Sequence, residues 1–478
     1  MVKIPPDQIK GIECKHVAYQ QSIDRSENDM LLVKEVVHTK DGQQIPRIKL
    51  MENFKRPVYV TKKPYRNHED KKEYEEESKL DRYDCTQAGM STTLQRALGF
   101  SVPNPAKQLR EVCRSPYIYN ADLNSTTIVK AAYKRKWPDV VSLSKVAVLD
   151  IETDVLYGTG EPIMVSVTMG KHKVIAFADW WAAKVHNLEG RLKERYAHHL
   201  SAVTIYGKKK GTYVTRNLVE ETGSDITVIA DCNIAEGLRR VMELVHQWMP
   251  DFLAIWNIDF DLPHLLRMLD KYNVPYEDVF VDPSVPQRYR RVWYKQAKAV
   301  RETNSKSIAQ HPADLWHVLF CLAGFYTVDA MAVFKKIRTA LGNEPDYKLE
   351  NVLRRHLGIG KLRIPECKTD PEQGLPWHVE MQRDFPIDYA VYCMFDCISI
   401  ELLDQRTGDL AVTLPVLCGI SDFAIFPSLP KRLVDNLTYF YRDRGLIPGC
   451  VGADITTDED EGVISMTQWI NCMKACFA

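Results

Sequence analysis

The sequence predicts an α/β fold, a sheet of strands covered by helices, and three observations carry that expectation. Val146–Leu149 is a short apolar run rich in β-branched residues, the pattern of a buried strand. Residues 233–249 place Ile234, Leu238, Val241, Met242, Val245 and Trp248 at helical spacing ahead of Pro250, which predicts an amphipathic helix. Strand-like and helix-like runs then alternate along the chain, with some strands close enough to pair antiparallel.

At 478 residues the chain exceeds one ordinary core, so two or three domains are expected. Its 45% hydrophobic and 26% charged content is that of a globular protein. Lys+Arg and Asp+Glu both count 63, so any nucleic-acid surface must be a local basic patch balanced by acid elsewhere. The 12 cysteines lack paired zinc-like spacing and sit mostly in apolar segments, as Cys321, Cys393 and Cys397 do, which favours reduced buried thiols. Neither a signal-peptide core nor a long apolar run is present, so a soluble cytoplasmic protein that does not enter a membrane is expected.

Taken in order, residues 1–140 read as a mixed α/β domain. Met30–Val37 and Val58–Thr61 are strand-like, Lys62–Arg82 is a charge-dense stretch expected as solvated helix or loop, and Thr92–Leu98 is a short helix ending at Gly99. Tyr117–Trp137 interleaves Lys130, Lys134, Arg135 and Lys136 with Tyr133 and Trp137. After the Val146 strand, Pro162–Met169 and Lys173–Ala178 are expected to pair across a turn at Gly170, and Tyr206–Arg216 reads as a basic hairpin. Phe252–Trp256 is a strand, Asp261–Tyr272 a leucine-rich helix, and 331–357 a helix in two pieces around Pro345. Pro386–Gln405 is a long helix with Pro386 at a favourable first position.

The chemistry lies in where acidic residues interrupt these apolar elements. Asp150 and Glu152 follow the Val146 strand two positions apart, so they share one face and repel unless a cation lies between them. A solvated strand end is the alternative for that pair taken alone. Asn257-Ile258-Asp259-Phe260-Asp261 is a second acidic strand edge, where Asp261 could instead cap the following helix. Tyr392 and Asp396 lie four apart on the long helix, with Asp388 one turn earlier on the same face; a salt bridge is the alternative for one such buried Asp. Three carboxylate sites embedded in apolar elements favour a shared cation, and oxygen-only ligands favour Mg²⁺ or Mn²⁺.

Asp150-Ile151-Glu152, Asn257 with Phe260-Asp261, and Tyr392-Cys393-Met394-Phe395-Asp396, in that order, resemble the three exonuclease motifs of family B DNA polymerases, in the tyrosine-bearing DEDD subgroup of the DnaQ-like 3′→5′ exonucleases. The resemblance runs over about residues 50 to 449 and takes in Arg56–Thr61, Ser115–Tyr119, Asp346–Leu349, Leu357–Lys361 and Arg442–Pro448, which are similar to segments of tailed-bacteriophage replicative polymerases. It implies a ribonuclease H-like exonuclease domain over 141–410 with a mixed sheet flanked by helices. It also implies an amino-terminal domain over 1–140, a helical connection over 411–449 and a divergent tail over 450–478. The implied activity is metal-dependent proofreading hydrolysis of the terminal phosphodiester of a single-stranded or frayed primer 3′ end. Asp150 would bridge two Mg²⁺ or Mn²⁺ ions, Glu152 and Asp396 would complete the first, and Asp261 would support the second. Tyr392 would hold the attacking water or scissile phosphate, while Asn257 and Phe260 would shape the site. Only two residues separate Asn257 from Phe260, one fewer than is usual in the family, which leaves Asp259 as an alternative to Asp261.

The Asp-x-x-Ser-Leu-Tyr-Pro and Tyr-x-Asp-Thr-Asp motifs of a polymerase palm do not occur in this chain. A separate palm-bearing polymerase subunit is therefore the expected partner, in the cytoplasm of a phage-infected host. Three origins stay open for the tail: a docking segment, a readthrough of an interrupted gene, or a splicing element opening at Cys450. The basic-aromatic segment with Arg288, Arg290, Arg291 and Trp293 is a candidate single-strand track, with a solvated loop as its alternative. The rival to an enzyme is a non-catalytic DNA-binding and assembly subunit that keeps the fold.

Overall fold

The computed structural model describes residues 4–450, apart from 208, 210, 224, 304–305 and 343. The chain is mixed α/β, 41% helix and 24% strand. It divides into two compact units. The first takes in the described residues of Met1–Val141, Val285–Arg290 and Cys418–Ala478; the second takes in Ser142–Ser284 and Arg291–Leu417. The tail expected over 450–478 lies outside the described residues except for Cys450. Among the described residues no helix is long and apolar enough to cross a membrane.

In the first unit Ile9–Gln21, Asp29–Thr39 and Gln44–Glu52 form an antiparallel meander. A second sheet pairs Arg56–Thr61 with Leu80–Cys85 on one side and Ile118–Tyr119 on the other. The charge-dense stretch 62–82 is not merely loop or helix. It contains strand Tyr74–Glu76, which pairs antiparallel with Leu446–Pro448. The charge run hides that strand because Glu75 is buried while its carboxylate is paired with Lys72 and Lys79 and its neighbours face solvent.

The second unit is built on one six-stranded sheet. Its strands are β1 (Val146–Thr153), β2 (Pro162–Met169), β3 (His172–Phe177), β4 (Thr227–Ile229), β5 (Phe252–Ile255) and β6 (Tyr326–Asp329). Their spatial order is β4-β3-β2-β1-β5-β6. β1, β2 and β3 run antiparallel in a meander, whereas β5 lies parallel to β1, β6 parallel to β5, and β4 parallel to β3. The β1 and β2 side chains are buried on both faces through most of their length, which explains the near-continuous apolar runs in the sequence.

Seven helices matter for the site and its support: α1 (Leu188–Leu200), α2 (Ile234–Trp248), α3 (Ile258–Lys271), α4 (Ala330–Ile337), α5 (Leu349–Leu357), α6 (Leu375–Asp384) and α7 (Pro386–Thr407). The amphipathic pattern of 233–249 is α2, whose apolar face is buried and whose start is capped by the Asn233 side chain. Helix α3 begins earlier than Asp261. The Asp329 carboxylate, at the end of β6, accepts the Ile258 N–H at 3.1 Å and the Ala332 N–H at 2.7 Å, and so fixes the first turns of α3 and α4 together. Helix α7 starts at Pro386 as expected and is buried over most of its length. It is seated on β1 and β2 by thiol contacts from Cys393 to the Asp150 carbonyl oxygen and from Cys397 to that of Ser166. Near its far end Glu401 accepts the Thr168 hydroxyl and the Gly170 N–H.

Candidate active site

The seating of α7 across β1 sets the geometry. Asp150 and Glu152 point from β1 to the face that α7 covers, and Asp396 points back toward them. Ligand oxygens of these three carboxylates lie within 4.8 Å of one another. Asp261 comes from the first turns of α3 and lines the same cavity, about 430 Å³ in volume, together with Asn257, Phe260 and Tyr392. The cavity therefore joins side chains that are far apart in sequence, carried on one strand and two helices.

Like charges at this spacing cannot all ionise freely in a buried site. Burial first, then the charges of Asp396, Asp261 and Glu152, pushes Asp150 well above the usual carboxylate range. Burial also raises Glu152, to about 8, and raises Asp261 and Asp396. Two of the oxygens, Oδ2 of Asp150 and Oδ1 of Asp396, are buried with no hydrogen-bond partner among the described residues. Buried acceptors of this kind normally find a donor or a cation. The donor set is oxygen only, one oxygen of each carboxylate lies close enough to the others to share an ion, and two buried oxygens lack a donor, so the residues fit a hard divalent ion.

Asp259, the alternative within the second acidic edge, has a different environment. Its Oδ1 accepts from the Tyr294 hydroxyl at 3.1 Å and the Gln296 amide at 2.6 Å, and lies 3.5 Å from His317. Asp259 is absent from the cavity wall, whereas Asp261 is part of it. Asp261 does not cap its helix; Asn257 takes the cap position, without a side-chain cap bond. Phe260 is half exposed at the cavity mouth with its ring against His264. Asp388 does not join the cluster either. It accepts from Arg195 and His199 of α1 at 2.6 Å each, the salt-bridge reading of an acid on this helix.

Tyr392 is fully buried, and burial together with Asp396 and Glu152 raises its phenol well above the ordinary value. Its oxygen accepts a hydrogen bond from Lys361 Nζ at 2.7 Å, and the same ammonium group reaches Asp396 Oδ2 at 2.6 Å. Burial opposes the charge on Lys361, yet Asp396, Asp150 and Glu152 hold its pKa above the ordinary value. The sequence offers Lys361 only as the last residue of the Leu357–Lys361 segment, not as a site residue. It enters because Gly358 ends α5 in the left-handed region at φ +75° and turns the chain back toward the cavity. Tyr389, His378 and Gln382 were equally invisible as site residues. Tyr389 of α7 donates to Glu152, and His378 and Gln382 of α6 meet the Tyr389 hydroxyl; the one signal for them is the spacing of Tyr389 three residues before Tyr392, which puts both on one helix side.

The basic-aromatic segment does not behave as one element. Arg288 and Arg290 belong to the first unit, Arg291 and Trp293 to the second. Arg288 pairs with Glu52, and the Arg290 Nε donates to the Val285 carbonyl oxygen at 2.9 Å. Trp293 opens a short strand and stacks on Phe320 with ring centroids 4.1 Å apart. Those partners are what a structured surface segment requires, and neither Arg291 nor Trp293 is in the wall of the carboxylate cavity.

No family model and no curated protein matches this chain.

Proposed function

We propose that this chain is a 3′→5′ exonuclease of the DnaQ-like, ribonuclease H-like type. It would hydrolyse the terminal phosphodiester of single-stranded or frayed DNA as the proofreading portion of a family B replicative polymerase. The observation that carries this reading is the convergence of Asp150, Glu152, Asp261 and Asp396 on one cavity, with two buried carboxylate oxygens left without a donor. The sheet order supports it: an antiparallel meander continued by strands parallel to its first member is the arrangement expected of a ribonuclease H-like domain.

Asp150, Glu152 and Asp396 would hold one divalent cation, and Asp150 with Asp261 a second. Bound Mg²⁺ or Mn²⁺ supplies Lewis acidity, lowering the pKa of water and stabilising charge on the phosphate and the leaving oxygen. The chain's own residues do the rest. Asn257 and Phe260 form the wall and mouth against which a terminal nucleotide rests. Tyr392 and Lys361, joined by a hydrogen bond, set a polar group and a positive charge beside the place where a phosphate meets the carboxylates. Burial keeps bulk water from competing with those groups.

Purified full chain incubated with Mg²⁺ or Mn²⁺ and a labelled single strand should release nucleotides from the 3′ end, and chelation with EDTA should stop it. A strand that stays intact while bound would sink the nuclease reading and favour the assembly-subunit rival.

A further inference from the structure

Glu152 is held differently from its neighbours in the cluster. Asp396 is met by a charged group, Lys361, whereas Glu152 Oε2 accepts the neutral hydroxyl of Tyr389. A phenol has a single proton to give. The other polar groups at the Tyr389 hydroxyl oxygen therefore approach as donors: His378 Nδ1 at 2.8 Å and Gln382 Nε2 at 3.4 Å. Gln382 is itself fastened to the end of β1. Its Nε2 donates to the Thr153 carbonyl oxygen at 2.7 Å, and its Oε1 accepts the Val155 and Leu156 N–H groups at 3.1 and 3.2 Å. The Tyr389 ring is buried, lying parallel to that of Tyr392 at 5.8 Å between centroids. Trp377 packs against both rings.

We propose that Tyr389, oriented by His378 and Gln382, is a positioning residue that fixes the rotamer of Glu152 so that its other oxygen is presented to a divalent cation shared with Asp150. The inference rests on the metal-dependent nuclease reading above. A glutamate side chain has three torsions, and freezing them at the moment of cation binding opposes that binding. Here the torsions are frozen on folding. An uncharged donor also holds the carboxylate without cancelling the charge that attracts the ion, which an ammonium in the same place would do. Gln382 adds register: it ties the helix that orients Tyr389 to the strand that carries Glu152.

The test uses the full chain and its Tyr389→Phe variant, which keeps the buried ring and removes one oxygen. Each is titrated with Mn²⁺ alone, free ion being read by electron paramagnetic resonance, and hydrolysis of a labelled single strand is followed at rising Mn²⁺. Tyr389→Phe is expected to weaken one Mn²⁺ site by about 10- to 100-fold. At limiting Mn²⁺ its kcat should fall while KM for the strand is unchanged, and saturating Mn²⁺ should restore kcat. A residue that only packs the core would not give that split. Wild-type Mn²⁺ affinity in Tyr389→Phe overturns the inference and leaves the nuclease reading standing. A wild-type chain that binds no Mn²⁺ overturns both. If Tyr389→Phe does not fold, His378→Ala removes a donor from a partly exposed position; it should weaken the same site by a smaller factor, and unchanged affinity overturns the proposal.

Discussion

Asp259 and Asp261 are two residues apart on one helix, yet their surroundings assign them different work. Asp259 is satisfied by Tyr294 and Gln296, while Asp261 lies in the cavity with Glu152 among the charges that raise its pKa. Asp261→Ala is expected to cost several kcal/mol of transition-state stabilisation, on the order of 10²-fold or more in kcat. Asp259→Ala should change kcat far less and act on thermal stability instead. Equal losses of kcat from the two variants would contradict the assignment. Lys361 permits a second prediction at this scale. Its ammonium group bridges the Tyr392 hydroxyl and Asp396, so Lys361→Ala should lower kcat by roughly 10²-fold with little change in strand affinity. A variant with unaltered kcat would show that the lysine serves only to balance charge.

At the scale of elements, the site depends on how helices end and begin. Gly358 closes α5 at φ +75°, and a Cβ placed there would lie 2.7 Å from the Tyr206 ring. Gly358→Ala should therefore destabilise the protein by at least about 1–2 kcal/mol from the left-handed backbone alone. Because Lys361 follows three residues later, the variant should also lose turnover; a stable, fully active Gly358→Ala would overturn this account. The start of α2 is a control of another kind. Asn233 Oδ1 accepts the Glu236 N–H at 3.0 Å, and Asn233→Ala should cost about 1 kcal/mol in urea unfolding with turnover unchanged. Both helices were legible in the sequence, α2 from its apolar spacing and α5 as the second piece of the helix expected over 331–357 around Pro345. The true start of α3 was not, because its first N–H is met by Asp329 from a strand more than one element away.

For the molecule as a whole, the buried acids couple stability to pH and to cations. Glu152 titrates near 8 in the folded chain against an ordinary 4.5, and Asp329 near 7 against 3.8, burial being the main cause for each. Between the ordinary and the raised values the folded state holds protons that the unfolded chain has released. Stability of the cation-free protein should therefore fall as pH rises from about 4 to about 8, and level off above that window. A divalent cation held by the ionised cluster would reverse the sign locally, so Mg²⁺ should raise Tm more at pH 8 than at pH 5. Thermal melts with Mg²⁺ and with EDTA at the two pH values measure it; a Tm difference independent of pH would remove the carboxylate cluster as its source.

Read alone, the sequence determined the strand that carries Asp150 and Glu152, the buried helix that carries Tyr392 and Asp396, and the α/β alternation around them. These are local properties, fixed by apolar periodicity and by polar residues that interrupt it. Only the tertiary structure decided which carboxylates meet. It separated Asp261 from Asp259, withdrew Asp388 into a salt bridge with α1, and brought Lys361, Tyr389, His378 and Gln382 to the acids. It also gathered the buried Cys113 and Cys450 with the half-buried Asp122 into one group that their spacing in the chain does not suggest. The physical reason is common to all of these. A buried charge or hydrogen bond is satisfied by whichever group packing delivers, and packing across a sheet joins residues whose separation in sequence carries no periodic signal.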